Sequence, residues 1–115
     1  MAKITREYVI DAARAVSTTG QSPKIDVQIL DGYCIQAVFA GMAATAAGSV
    51  KLQISLDGTN FSDYPSSSQN FTNTTTSLVW EVSSKRHKYI RMALTATGTG
   101  DGTVTSTLYG ETFTE

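Results

Sequence analysis

One cysteine and one histidine are the only residues here that could serve as a thiol nucleophile and an imidazole base. Cys34 sits in the apolar run 33–39, where a free thiol packs as a small buried apolar side chain. His87 sits in the charged segment Lys85-Arg86-His87-Lys88. Thiol catalysis needs the base within hydrogen-bond reach of the sulfur, and nothing in the spacing brings these two together. A lone cysteine also excludes an internal disulfide.

The other constellations are no stronger. Asp57, Asn60 and Asp63 are spaced by three, whereas a calcium loop needs ligands at alternate positions and a later glutamate. One His and one Cys do not make a zinc site. The carboxylates fall mostly at turns or on polar strand positions; Glu81 has no obvious partner across a cleft, as glycoside hydrolysis would require. Residues 85–88 read as a solvated connection rather than an anion site, since no second basic run supports them. The glycine-rich stretch 98–102 is followed by neither Lys-Ser/Thr nor a helix, so it is not a phosphate loop. An exposed Trp80 could stack on a sugar ring, but it alternates with Leu78 and Val82 and so is expected in the core. The residues point to no enzyme, no cofactor and no metal.

Stepping from these residues to the elements that carry them, a period of two dominates. Ile25, Val27 and Ile29 alternate with polar residues, and so do Val50, Leu52, Ile54 and Leu56, then Leu78, Trp80 and Val82, then Ile90, Met92 and Leu94. Asp31-Gly32 and Asp57-Gly58 are hairpin signals. The run of small residues at 40–48 and the Ser/Thr-rich stretch at 65–76 read as loops, and residues 103–109 close the domain as a strand. Serine and threonine make up about a quarter of the chain, which favours sheet. The expected fold is all-β: an antiparallel β-sandwich of jelly-roll type with seven to eight strands, a small closed barrel being the alternative. The expected core is Ile25, Val27, Ile29, Val50, Leu52, Ile54, Leu78, Trp80, Val82, Ile90 and Met92.

The N-terminal segment reads differently. Ile4, Tyr8, Ala12 and Val16 fall four apart, as on one face of a helix, and the breaker cluster 17–23 follows. Residues 1–22 are therefore expected to be an arm or short helix with a hinge, outside a sandwich of residues 23–115. An edge strand plus a loop is the other reading. As an arm it would offer Ile4, Tyr8, Val9, Ala12 and Val16 to another chain.

Composition bounds the partners. The chain has 115 residues, one domain's worth, with 41% hydrophobic and 17% charged residues and a net charge of −1. No strong field exists to draw nucleic acid or an anionic membrane. The first residues have no apolar signal core and no stretch approaches a membrane span, so synthesis in a cytoplasm is expected.

A resemblance adds to this. Leu52-Gln53-Ile54-Ser55-Leu56-Asp57-Gly58-Thr59-Asn60-Phe61, followed by Trp80 and then Tyr89-Ile90-Arg91-Met92, resembles small virion proteins of tailed phages. Thr18-Thr19-Gly20-Gln21-Ser22, Ile35-Gln36 and Gly98-Thr99-Gly100-Asp101-Gly102-Thr103 match further pieces in the same order. Discoidin-like adhesion domains share only the central part. The phage resemblance covers most of residues 18–110 and implies a head decoration, cement or fibre component of the virion. It implies as partners the major capsid protein, other virion proteins and the chain's own copies, with a trimer among the candidate homo-oligomers. The competing expectation is an adhesion or carbohydrate-binding module with a groove lined by Tyr33, Phe61, Tyr64 or Phe71.

Overall fold

The computed structural model describes residues 2–83 and 85–114, and among them every regular element is a strand. The ten strands are β1 (Ala2–Ala15), β2 (Gly20–Gln21), β3 (Ile25–Asp26), β4 (Gly32–Ala40), β5 (Ala47–Ser55), β6 (Ser62–Asp63), β7 (Gln69–Thr72), β8 (Ser77–Val82), β9 (Tyr89–Ala96) and β10 (Thr103–Thr114). None of the described elements is a helix long and apolar enough to cross a membrane.

The strands form two antiparallel sheets. Sheet A has the order β1-β10-β4-β8; sheet B has the order β2-β9-β5-β6, with β3 also on β9 and β7 also on β5. Counting β2 with β3, and β6 with β7, as single interrupted strands gives the eight-strand order of a jelly roll. The alternating apolar residues fill the space between the sheets: Tyr33, Ile35, Ala37 and Phe39 from β4, Leu52 from β5, Trp80 and Val82 from β8, Ile90 and Met92 from β9, and Leu108 from β10. Trp80 is buried and its indole N–H donates to the Ser67 carbonyl, so its one polar atom is satisfied. Ile25, Ile54 and Leu78 are half-buried against this core.

Four expectations need correction. Residues 2–15 are neither helix nor arm: β1 is the first strand of sheet A, and Ile10 and Val16 lie in the core. A spacing of four keeps residues on one side of a strand as well as of a helix, so the pattern was ambiguous. Ile29 is 57% exposed. The Asp26 carboxylate accepts the Gln28 N–H and the Leu30 N–H donates to Val27, so the chain turns and Leu30 takes the inward place. Asp31-Gly32 makes no hairpin, because β3 belongs to sheet B and β4 to sheet A. The stretch 65–76 holds β7, whose Phe71 is 1% exposed. That ring sits over Gly48, where a Cβ would come within 2.8 Å of it, and packs against Phe39 at 5.0 Å between centroids.

Candidate functional site

The two sheets bury similar inner faces but present unlike outer ones. On sheet A, strand alternation sends Cys34, Gln36, Val38 and Ala40 of β4 outward, and the register carries that face across the sheet. One row reads Val9, Thr107, Gln36, Val79; the next reads Glu7, Tyr109, Cys34, Glu81; on the other side lie Thr105, Val38 and Ser77. Val9 is 59% exposed, Val38 47%, Val79 46% and Tyr109 47%. These are four of the six exposed large hydrophobics among the described residues. Threonines fill the gaps between them, and the carboxylates Glu7, Glu81 and Glu111 gather at one end.

At that acidic end a cleft of about 350 Å³ is lined by Asp31, Cys34, Glu81, Tyr109 and Glu111. Cys34 faces outward and is half-buried, not a core thiol as its apolar neighbours suggested. Burial, and then the nearby Glu81 charge, push its thiol above the usual range, which disfavours the reactive thiolate.

The outer face of sheet B is polar, and the groups at its centre pair with one another. Lys51 pairs with Asp63 at 2.9 Å, and Asp63 also accepts from Gln53 at 2.9 Å. Arg91 donates to the Gln53 carbonyl oxygen at 2.7 Å and lies over the Phe61 ring at 4.2 Å from its centroid. The hydrogen bonds from Gln53 and Lys51 hold the Asp63 carboxyl below its ordinary range.

The sequence candidates scatter. His87 is buried, not part of a solvated connection, although Arg86 and Lys88 beside it are exposed. Its Nε2 shares a 2.6 Å hydrogen bond with the Tyr33 hydroxyl. Burial, then the neighbouring Lys85 charge, lower its pKa; burial also raises that of Tyr33. Tyr33 points into the core and Cys34 away from it, so the imidazole and the thiol lie on opposite sides of one strand. The Asp57 carboxylate is taken by its own turn: it accepts from the Thr59 and Asn60 backbone and from the Asn60 side chain, each at 2.8 Å. Those bonds lower its pKa strongly. Asp63 is turned to Lys51, so Asp57, Asn60 and Asp63 do not converge. A second cleft, about 490 Å³, runs between Leu56, Asn60, Tyr64 and Arg86.

Of the proposed contact residues, Val16 is 1% exposed in the chain's own core and is unavailable to another chain. Ile4 and Tyr8 are half-buried, Ala12 is exposed, and Val9 stands on the outer face of sheet A. The sequence analysis missed Val38, Val79 and Tyr109 as surface groups. The alternation of 33–39 could have flagged Val38, because it shares parity with Gln36.

No protein-family model matches the chain, and no curated protein matches its sequence. Solved structures match its fold. The SPBc2 prophage-derived protein YomS aligns with a TM-score of 0.63 at 9% identity, over 95% of this chain and 96% of that one. The structure of infectious bursal disease virus, Gx strain, aligns at 0.56 and 9% identity over 97% of this chain, which spans about a third (33%) of the viral chain. CBM28, a carbohydrate-binding module specific for non-crystalline cellulose, aligns at 0.52 and 9% identity, over 89% of this chain and 69% of that one. At such identities these likenesses establish a shared β-sandwich fold.

Proposed function

We propose that this chain is a non-enzymatic structural protein of a phage particle, docking on the capsid or on its own copies through the outer face of sheet A. The carrying observation is the difference between the two outer faces. Sheet B's central polar groups, Lys51, Gln53, Asp63 and Arg91, already satisfy one another, whereas sheet A presents Val9, Val38, Val79 and Tyr109 among threonines, with no internal partner to cover them. Exposed large apolar side chains gathered on one face of a sheet point to an interaction surface. Repetition over many copies makes each contact's modest strength sufficient. The fold likenesses to a prophage-derived protein and to a virus particle support the reading. So does the phage-like order of Leu52–Phe61, Trp80 and Tyr89–Met92 motifs in the sequence.

The test is direct. Purified particles of the phage whose genome carries this chain should contain it in stoichiometric amount, and particles assembled without it should bind the purified protein. Val38→Glu with Val79→Glu should abolish that binding. Absence from particles would overturn the reading.

One observation favours carbohydrate as the second reading. Tyr109 lies at the rim of the acidic cleft, where a ring could meet a sugar. Of the other candidate aromatics, Tyr33 and Phe71 are buried, Phe61 is covered by Arg91, and Tyr64 is half-buried and lines the second cleft. Retardation on polysaccharide affinity gels, lost in Tyr109→Ala, would favour this reading over the first.

A further inference from the structure

The four ends of the two sheets are not equally protected. Sheet B ends in two-residue strands, β2 and β6. On sheet A, β8 is six residues long, and the Gln69 side chain caps its edge by donating to the Val79 carbonyl at 2.8 Å. The fourth end is β1, fourteen residues long, whose only strand neighbour among the described residues is β10. A long edge of this kind leaves a row of backbone donors and acceptors unpaired, which proteins ordinarily blunt with bulges, prolines or short strands.

β1 is bulged only over its second half; in the first half the Arg6 side chain donates to the Thr5 carbonyl at 3.1 Å. Its register slips between Val9 and Asp11 and again between Asp11 and Arg14, and Ala13 takes a positive φ of 49°. From Ala2 to Val9 the register against β10 runs without a break, from Thr114 to Thr107. That stretch has no proline and spans about 26 Å at the usual rise. We infer that residues 2–8 of β1 pair antiparallel with the same residues of a second copy, joining two A sheets into one continuous sheet.

The register follows from parity and charge. A two-fold axis normal to the sheet keeps both outer faces on one side, so only residues of the same face can oppose each other. Centring the axis on Arg6 or Glu7 sets like charges against themselves. Centring it on Tyr8 or Val9 runs the partner into the bulge. Centring it on Thr5 opposes Thr5 with the partner's Thr5, and positions 3 and 7, of opposite charge, with each other. The resulting sheet carries Val9 and the Val/Thr face of both copies on one side. This deepens the assembly reading above and rests on it for its place in the particle.

Sedimentation equilibrium of the full chain tests it. The wild type should form a reversible dimer. Thr5→Asp, which sets two carboxylates together on the axis, and Glu7→Lys should each weaken dimerisation roughly tenfold or more. Lys3→Glu combined with Glu7→Lys should return it close to wild type, and at concentrations where every variant is monomeric the thermal melts should coincide. A dimer indifferent to both single changes, or lost instead in Val38→Glu, overturns the pairing. So does a monomeric wild type that still attaches to particles, a result that leaves the virion reading standing. A chain that dimerises as stated yet is absent from particles upholds the pairing and overturns the virion reading.

Discussion

Sheet A and sheet B are built from the same alternation and end with opposite surfaces. On sheet B the outward polar groups at the centre meet one another: Lys51 with Asp63, Gln53 with Asp63 and Arg91, Arg91 with Phe61. On sheet A the outward groups include Val9, Val38, Val79 and Tyr109, set among Thr105, Thr107 and Gln36, with carboxylates at one end. The first surface is complete in a single copy. The second leaves large apolar side chains in water, and the open edge of β1 lies in the same sheet. On the proposed function the two sheets divide the work, sheet B finished within the chain and sheet A meeting a partner.

The comparison can be broken from the inside first. Trp80 belongs to the core both sheets share, so Trp80→Ala should cost about 3–5 kcal/mol and unfold much of a domain this small. Denaturant titration followed by circular dichroism reads it. A loss under about 1 kcal/mol would mean the inner faces are not what holds the sheets together. Gly48→Ala comes next. The new methyl would press on the Phe71 ring and on the β9 backbone, and the melt should drop clearly.

The outer faces are separated by the next pair. Val38→Glu with Val79→Glu should leave stability within about 1 kcal/mol, since both side chains are already largely in water, while removing attachment to particles. Arg91→Ala on sheet B should do the reverse: about 0.5–1 kcal/mol of stability lost with the Phe61 stacking, and attachment kept. Equal effects on attachment from the two faces would erase the distinction drawn between them.

The smallest effect is on pH dependence. Burial and Lys85 hold the His87 pKa below its ordinary 6.5. The unfolded chain then takes a proton before the folded one does. The stability from keeping His87 neutral is present above the ordinary value and is lost as pH falls through 6.5 toward the lower folded value. Melting temperature should be flat above about pH 7 and slope downward below it, and His87→Gln should flatten that slope. A rise in stability on acidification over this range would contradict the buried, neutral histidine.

Much of the fold was legible in the chain. Period-two runs located β5, β8 and β9, the apolar run 33–39 fell on β4, and Asp57-Gly58 made its turn, with Gly58 at φ 78° and β6 returning against Gln53 and Ile54. β7 was hidden because a strand with a single buried residue, Phe71, among polar neighbours has almost no periodic signal. The helical reading of 4–16 failed because bulged strands and helices can share a spacing of four. His87 looked solvated because charges flank it in sequence, while Tyr33 and Tyr64, which pack on its ring, come from β4 and from the segment after β6.

Which residues alternate, and where Gly and Asp break the chain, can be read along the chain alone. Those properties are local, set by backbone geometry and turn chemistry over a few residues. Only the tertiary structure decided which strands are neighbours and which faces are covered. β1 pairs with β10 from the far end of the chain, and Val9, Val38 and Val79 reach one surface from three different strands. A valine on a strand carries no mark of whether a second sheet lies above it. Its burial is settled by contacts between segments that only folding brings together, and so is the one face this molecule leaves open.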